Sequence, residues 1–205
     1  MNIKFFDLPK EKQNTIINAA MSVFAHNDYK RATIDEIIKQ AKISKGLLFH
    51  YFENKKGLYL YIYNYAEKFL IDEMQKSYDE TQTDFFEMLI QAQTSKIKIM
   101  SVHPNLYGFL KNAYLEKNTE IVENLDIKFK QIISKSSSTL LNKIDVSKFK
   151  ENISPEKVLD IIIWSSEGFI KSRTEKQLEN LTQLNEDFKS YLLLLKQNFY
   201  KENYL

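Results

Sequence analysis

The chain has 205 residues, 43% of them hydrophobic and 27% charged, which suits one large or two modest globular domains. The absence of cysteine excludes disulfides, thiolate metal sites and cysteine nucleophiles. No apolar run approaches the roughly 20 residues that a membrane helix needs. Asp7 and Pro9 interrupt the N-terminus before a signal-peptide core could form. We therefore expect a cytoplasmic protein that does not associate with a membrane.

Basic residues are concentrated near the start of the chain. Residues 1–60 contain ten Lys or Arg and six Asp or Glu, a net charge of +4, whereas the other 145 residues have a net charge of −2. A basic segment attracts the phosphate backbone of a nucleic acid, but any solvated lysine-rich surface has the same composition. Charge alone favours a nucleic-acid partner only weakly.

Helical periodicity and capping signals predict an all-α protein, because only 4 Gly and 3 Pro interrupt the sequence. About nine helices are expected. With their capping residues they span approximately 9–26, 33–41, 44–52, 55–78, 81–100, 103–115, 118–142, 154–173 and 184–200.

Residues 33–52 have the outline of a helix-turn-helix unit: a short capped helix, a turn and a second short helix. Thr33 and Glu36 have the spacing of a capping box. The second helix begins with Ser44, Lys45 and Gly46, which offer a hydroxyl, an ammonium group and uncovered backbone to a phosphate. Structural helical hairpins share this outline, so it is the composition of the second helix that favours DNA reading.

Three segments, Thr33–Ala41, Ser44–Phe52 and Asn54–Leu58, resemble the TetR family of bacterial regulators. The resemblance implies a three-helix helix-turn-helix DNA-binding domain at residues 1–60 with its reading motif at 33–52. It implies that a long fourth helix joins this domain to a helical ligand-binding and dimerisation domain at 61–205. The implied function is a repressor that binds a palindromic operator on double-stranded DNA as a homodimer and is released by a small hydrophobic or aromatic effector.

The resemblance also assigns roles to individual residues. It implies that Thr33 holds a phosphate, that the helix after Ser44 enters the major groove and that Lys55 clamps a phosphate. The remaining implied DNA contacts are Ser44, Lys45, Gly46, Leu47, Phe49, His50 and Tyr51. Leu48 and Phe52, four residues apart, are expected to face inward and hold this helix to its neighbours.

Two positions depart from the family pattern. The family usually has tyrosine where Phe49 stands, so a phosphate contact through a phenolic hydroxyl is lost. It commonly has glycine where Lys42 stands in the turn. Either Lys42 takes a left-handed conformation at a cost of roughly 1 kcal/mol, or the turn differs.

The last two predicted helices are apolar on more than one side, which favours a dimer interface because large exposed apolar patches are rare on monomers. The alternative is that both helices lie at the centre of a larger bundle. The predicted interface residues are Leu159, Ile162, Ile163, Leu192, Leu195 and Phe199.

Aromatic and apolar residues of the fifth to eighth predicted helices are candidates for an effector pocket, although each is equally suited to core packing. They are Met88, Tyr107, Phe109, Tyr114, Phe129, Trp164 and Phe169.

Two other classes of function are an enzyme and a helical scaffold. An enzyme would need convergent acids, bases or a metal, and no residues have catalytic spacing, so we expect neither an enzyme nor a cofactor. The three histidines, His26, His50 and His103, are scattered, so we expect no metal site. A helical scaffold or interaction protein without DNA binding is the alternative, and a DNA-binding measurement separates it from a regulator.

Overall fold

A computed structural model describes residues 3–205, and all regular secondary structure in this range is helical apart from one isolated antiparallel bridge between Phe149 and Tyr200. The all-α prediction is confirmed. No helix in the described range is long and apolar enough to cross a bilayer. The ten α-helices within residues 3–205 are α1 (Lys10–His26), α2 (Ile34–Ala41), α3 (Lys45–Phe52), α4 (Lys55–Gln75), α5 (Phe85–Val102), α6 (Pro104–Leu115), α7 (Val122–Leu141), α8 (Pro155–Lys171), α9 (Glu175–Glu179) and α10 (Leu181–Phe199).

The end of the chain differs from the prediction, because two helices replace the single one expected at 184–200. Thr174 and Gln177 form a reciprocal capping box that begins the short α9. Asn180 then ends α9 and begins α10, with its side-chain oxygen accepting a hydrogen bond from the Gln183 backbone N–H at 3.1 Å. These polar capping residues interrupt the apolar periodicity, which becomes continuous only after Asn180.

The chain divides into two compact units. The first runs to Asp72 and also includes Val102–Phe129, and the second contains Glu73–Ser101 and Lys130–Leu205. The first unit is thus larger than the 1–60 segment predicted to bind DNA, since it includes α6 and the start of α7. The limit at residue 60 remains a prediction about function.

Close packing between α1 and α6 explains why the first unit includes α6. A Cβ on Gly108 would lie 3.1 Å from both the Cβ and the carbonyl oxygen of Ala25, so the two backbones approach closely at this glycine. The Asn112 side-chain amide donates to the carbonyls of Phe24 and Ala25 at 3.1 and 3.0 Å. These bonds satisfy carbonyls at the end of α1 that have no partner within the helix.

An aromatic cluster fills the centre of the second unit. The Phe86 ring lies 5.0 Å from both Phe85 and Tyr200, and Phe149 lies 4.9 Å from Tyr200. The apolar sides of α8 and α10 pack on this cluster through Leu159, Ile162 and Leu192.

Asp84 is buried at the start of α5, where it connects distant parts of the second unit. One carboxylate oxygen accepts hydrogen bonds from the backbone N–H groups of Phe86 and Glu87, both at 3.1 Å, which caps α5. The other oxygen lies 2.9 Å from the Lys148 ammonium and 3.7 Å from that of Lys196. The Tyr200 hydroxyl donates to Asp84 at 3.3 Å, so the end of α10 is held to the start of α5.

Burial of Asp84 opposes its ionisation, but the hydrogen bond from Lys148, the Glu87 N–H and the nearby Lys196 outweigh it. The pKa of Asp84 is consequently lower than the ordinary aspartate value. A group with a lowered folded-state pKa stabilises the protein above its unfolded-state pKa, near 3.9, and this contribution is lost as the pH falls through the folded-state value.

We predict that Asp84→Asn lowers the unfolding free energy by about 2–3 kcal/mol at neutral pH, because the largely buried Lys148 ammonium loses its counter-charge and Lys196 keeps only its pair with Glu87 at 2.8 Å. Urea denaturation at several pH values measures the loss. The matched control is Asp72→Asn, whose pair with Lys68 is equally short at 2.8 Å but exposed, and which should cost under about 0.5 kcal/mol. The difference between wild type and Asp84→Asn should shrink below about pH 4; a constant difference would contradict the assigned ionisation.

Candidate nucleic-acid interface

The start of α2 is fixed by Thr33. Its hydroxyl accepts a hydrogen bond from the Glu36 backbone N–H at 3.2 Å and donates to the Glu36 carboxylate at 3.0 Å. Thr33 is exposed, so the first turn of α2 is both capped and open to solvent. Its predicted phosphate contact is compatible with this position.

In the turn between α2 and α3, Lys42 has a left-handed conformation with φ 53° and ψ 45°, which is the first of the two alternatives left open by the sequence. The backbone N–H groups of Lys42 and Ile43 both bond to the Ile38 carbonyl, which ends α2. The turn therefore keeps the geometry that favours glycine, although lysine occupies it.

Most of the exposed residues of α3 lie at its start. The Ser44 hydroxyl caps the helix by accepting from the Leu47 N–H at 3.2 Å. A Cβ on Gly46 would have no heavy atom within 4 Å, so the backbone there is open. Lys45 pairs across the motif with Asp35 of α2 at 3.2 Å, and both groups are well exposed. This face can approach another molecule closely.

The opposite side of α3 is buried. Leu48 is 0% exposed and Phe52 is 1% exposed, which confirms that this pair faces inward. His50 is exposed and Phe49 is half-buried, so both remain available at the edge of the face.

Tyr51 requires a correction. Only 6% of it is exposed, and its ring lies 5.6 Å from that of Phe5. Phe5 belongs to the 3₁₀ segment Ile3–Phe5 and is itself fully buried. Tyr51 is therefore a packing residue and does not line the exposed face of α3. The prediction followed the motif alone and did not include this N-terminal aromatic partner.

The turn into α4 is tight. Glu53 has φ 66° and ψ −52°, and the Asn54 N–H bonds to the Phe52 carbonyl two residues back at 2.7 Å, which is a three-residue γ-turn. The Asn54 side chain then accepts from the Gly57 N–H at 2.8 Å. A Cβ on Gly57 would lie 2.3 Å from the Phe52 carbonyl oxygen, so any other residue would displace α4 from the end of α3.

Lys55 lies at the first position of α4 and is half-buried. Its ammonium group is 3.4 Å from the Lys30 carbonyl and 4.6 Å from the centroid of the Tyr29 ring. Burial lowers the pKa of Lys55, while Glu120, Asp28 and Glu116 act in the opposite direction. Its side chain is held beside the segment that leads to Thr33.

The predicted effector-pocket residues are divided between the two units. Tyr107, Phe109, Tyr114 and Phe129 belong to the first, and Met88, Trp164 and Phe169 to the second. Phe109 is fully buried against Phe24 and Tyr59, with ring centroids 5.9 and 5.1 Å apart, and therefore serves the core. Trp164 is 68% exposed, which contradicts a role in an enclosed pocket.

The second unit contains a partly open cavity of about 250 Å³ that the sequence did not predict. Arg173 and Asp187, which both line it, form an ion pair at 3.0 Å. None of the predicted pocket residues lines it. The lining residues are Arg173, Lys176, Gln177, Asn180, Gln183, Leu184 and Asp187.

The predicted dimer residues lie mainly on the inner faces of α8 and α10. Leu159, Ile162 and Leu192 are buried within the unit and have almost no surface to offer a partner. Ile163, Leu195 and Phe199 are half-buried against the same core. The exposed apolar side chains of these helices are Ile161, Trp164, Tyr191, Leu193 and Leu194. Surplus apolar surface is present, but on the other side of each helix.

Among residues 3–205, no three His, Asp or Glu side chains are grouped in a way that could hold a metal ion.

Comparison with known proteins identifies the fold and the motif. Residues 16–62 match the family described as bacterial regulatory proteins, tetR family, a span that contains α2, α3 and the start of α4. Over this segment the chain is similar to the TetR family. The uncharacterised HTH-type transcriptional regulator YuxN of Bacillus subtilis is 43% identical over 56 residues, which are 27% of this chain and 19% of that protein.

Other proteins are similar over longer segments. The HTH-type transcriptional regulator QacR of Staphylococcus aureus is 28% identical over 53% of this chain and 54% of its own length. The matched segments thus span about a fifth and about half of these two curated relatives. The structure of the regulator FadR from Bacillus subtilis in complex with stearoyl-CoA has a TM-score of 0.69 at 19% identity, covering 87% of this chain and 96% of that one. This likeness shows a shared fold.

We predict that Lys42→Gly raises the unfolding free energy by about 0.5–1 kcal/mol, because relief of the left-handed strain exceeds the extra chain entropy of glycine. Urea denaturation measures the change. Lys42→Ala is the control, since it removes the ammonium group but keeps the Cβ, and it should change stability little. Equal stabilities for both variants would show that the backbone conformation of Lys42 is not strained.

Proposed function

We propose that this chain is a transcriptional regulator that binds a palindromic operator through residues 33–52 and Lys55. The observation that carries the proposal is the open start of α3, where Ser44, Lys45 and Gly46 are exposed while Leu48 and Phe52 anchor the other side. A helix held in this way can enter a major groove with its N-terminal backbone beside phosphate. Residues 1–60 form the DNA-binding domain in this proposal, and 61–205 serve effector binding and dimerisation.

The proposed contacts follow from exposure. Lys45, Gly46, Leu47 and His50 face the groove, since all four are exposed on α3. Phe49 adds its half-buried ring to this surface, but it has no hydroxyl group that could bind a phosphate. The phosphate contacts are those of Thr33, Ser44 and Lys55. Tyr51 is excluded because its ring packs on Phe5.

A homodimer is the second element of the proposal. Two copies of α3 fit successive major grooves about 34–36 Å apart only if a two-fold interface sets their spacing. The exposed apolar side chains of α8 and α10, above all Trp164, Tyr191 and Leu194, are the proposed contact surface.

The proposed regulation is repression relieved by a small hydrophobic or aromatic effector. The support is fold similarity to the structure of FadR from Bacillus subtilis in complex with stearoyl-CoA. An effector that binds more tightly to the conformation with low DNA affinity weakens DNA binding, and DNA weakens effector binding by the same factor. Stearoyl-CoA added to the complex with an operator is a direct probe, and release of the DNA would support ligand control.

Selection of duplexes from a random library with the purified protein tests the operator, and no enrichment of a palindrome would disprove the palindromic-site model. With the selected duplex, we predict that Gly46→Ala weakens binding at least roughly tenfold, because a methyl group blocks the backbone approach. The same variant should melt at the wild-type temperature or higher, since the Cβ meets nothing and alanine favours helix.

Thr139→Ala, an exposed substitution on α7, is the control for that measurement and should bind DNA like the wild type. Unchanged binding by Gly46→Ala would show that this backbone does not approach DNA.

For the dimer, we predict that the wild type sediments at about twice the chain mass of 24.3 kDa and that Trp164→Glu sediments as a monomer. A charge buried at an apolar interface strongly disfavours association. Val102→Glu is a matched control, because Val102 is 69% exposed and Trp164 is 68% exposed. A monomeric wild type would refute the dimer, whereas a dimeric Trp164→Glu would place the interface elsewhere.

A further inference from the structure

Tyr29, in the loop between α1 and α2, donates hydrogen bonds to two carboxylates from the segment between α6 and α7. Its backbone N–H donates to Glu116 at 2.9 Å, and its hydroxyl donates to Glu120 at 2.8 Å. All three residues belong to the first unit. Tyr29 is only 3% exposed, so these bonds fix a buried side chain in one orientation.

The two carboxylates are themselves held by their own loop. The second oxygen of Glu116 accepts from the backbone N–H groups of Lys117 and Asn118 at 2.9 and 2.8 Å. The Asn118 side chain in turn accepts from the Glu120 N–H at 2.9 Å. The carboxylates that bind Tyr29 are therefore held by hydrogen bonds within their own loop and are not flexible surface side chains.

The Tyr29 ring lies between α4 and this loop. The planes of the Tyr29 and Tyr59 rings are perpendicular, and the ring centroids are 5.2 Å apart. The Lys55 ammonium lies over the Tyr29 ring, 4.6 Å from its centroid. The same ammonium group is 3.4 Å from the carbonyl of Lys30, three residues before Thr33. Lys55 is thus held beside the segment that leads into α2, where the phosphate contact of Thr33 is proposed.

We propose that Tyr29 is a positioning residue for the phosphate contact of Lys55, and that Glu116 and Glu120 hold Tyr29 in place. The inference rests on the proposed DNA binding. A lysine side chain has a flexible four-carbon stem, so a ring that already confines its ammonium group reduces the entropy lost when a phosphate binds. The segment between α6 and α7 thereby sets the strength of a DNA contact that it does not touch.

Charge alone predicts the opposite result for one of the variants. Glu116, Glu120 and Asp28 are the carboxylates that act electrostatically on Lys55. Negative charge near a phosphate site repels DNA, so neutralising Glu120 would strengthen binding if it had no positioning role. If Glu120 holds Tyr29, its neutralisation weakens binding, and the direction of the change separates the two effects.

The experiment measures binding of a fluorescent random-sequence duplex at low salt, because phosphate contacts do not depend on base sequence. The proteins are the full-length wild type, Lys55→Ala, Tyr29→Phe, Glu120→Gln, and each of the last two combined with Lys55→Ala. We expect each single variant to bind roughly fivefold more weakly. Lys55→Ala should also reduce the salt slope by about one.

The double variants decide the question. If Tyr29 and Glu120 act through Lys55, neither substitution should weaken binding further once Lys55 is alanine. An equal loss in both backgrounds would mean a merely structural role and overturn the inference, as would tighter binding by Glu120→Gln. Glu123→Gln is the control for charge, because Glu123 is exposed at the start of α7 and is not a partner of Tyr29; it should bind equally or slightly more tightly.

Failure of the inference and failure of the proposed function give different results. If the wild type binds no duplex, DNA binding itself is wrong. If the wild type binds and Lys55→Ala weakens binding while the Tyr29 and Glu120 effects persist without Lys55, only the positioning role is wrong. Melting temperatures of the single variants confirm that each is folded.

Discussion

Attachment of α3 from one side is the constraint on which the candidate interface depends. Leu48 and Phe52 are buried, and burial of such side chains contributes roughly 2–3 kcal/mol each. Phe5 extends this contact through the Phe52 and Tyr51 rings, at 4.9 and 5.6 Å. Because all of the anchoring lies on one face, the opposite face carries exposed polar groups and open backbone that no packing requirement explains.

The two ends of α3 are defined by backbone features that leave little freedom. A left-handed residue at Lys42 precedes it, and a γ-turn at Glu53 follows it. Gly57 allows α4 to begin in contact with the Phe52 carbonyl. Together these features hold Lys55 close to the end of α3, so a lysine on α4 can act with residues of α2 and α3.

The second unit depends on a different interaction, the buried charge of Asp84. Its contacts with Lys148, Lys196 and Tyr200 connect the start of α5 to the end of α10. With the inner sides of α8 and α10 committed to the core, their outer apolar side chains have no cover within the unit. This arrangement gives the proposed dimer surface its physical basis, since Trp164 and Leu194 cannot turn inward without displacing core residues.

Periodicity and capping chemistry are local properties, so the sequence by itself determined the all-α fold, most helix limits, the caps at Thr33 and Ser44, and the burial of Leu48 and Phe52. At Lys42 the sequence left two alternatives open, and the structure has the left-handed turn. Only the tertiary structure decided which of two apolar faces on α8 and α10 points inward, because a helix that is apolar on more than one side does not indicate a single inward direction through its periodicity. The tertiary structure also decided that Trp164 is exposed. Likewise, it brought together residues far apart in the chain, as in the packing of Tyr51 on Phe5 and the hydrogen bonds from Tyr29 to Glu116 and Glu120. Sequence spacing does not predict such contacts, since they form only when separate helices pack.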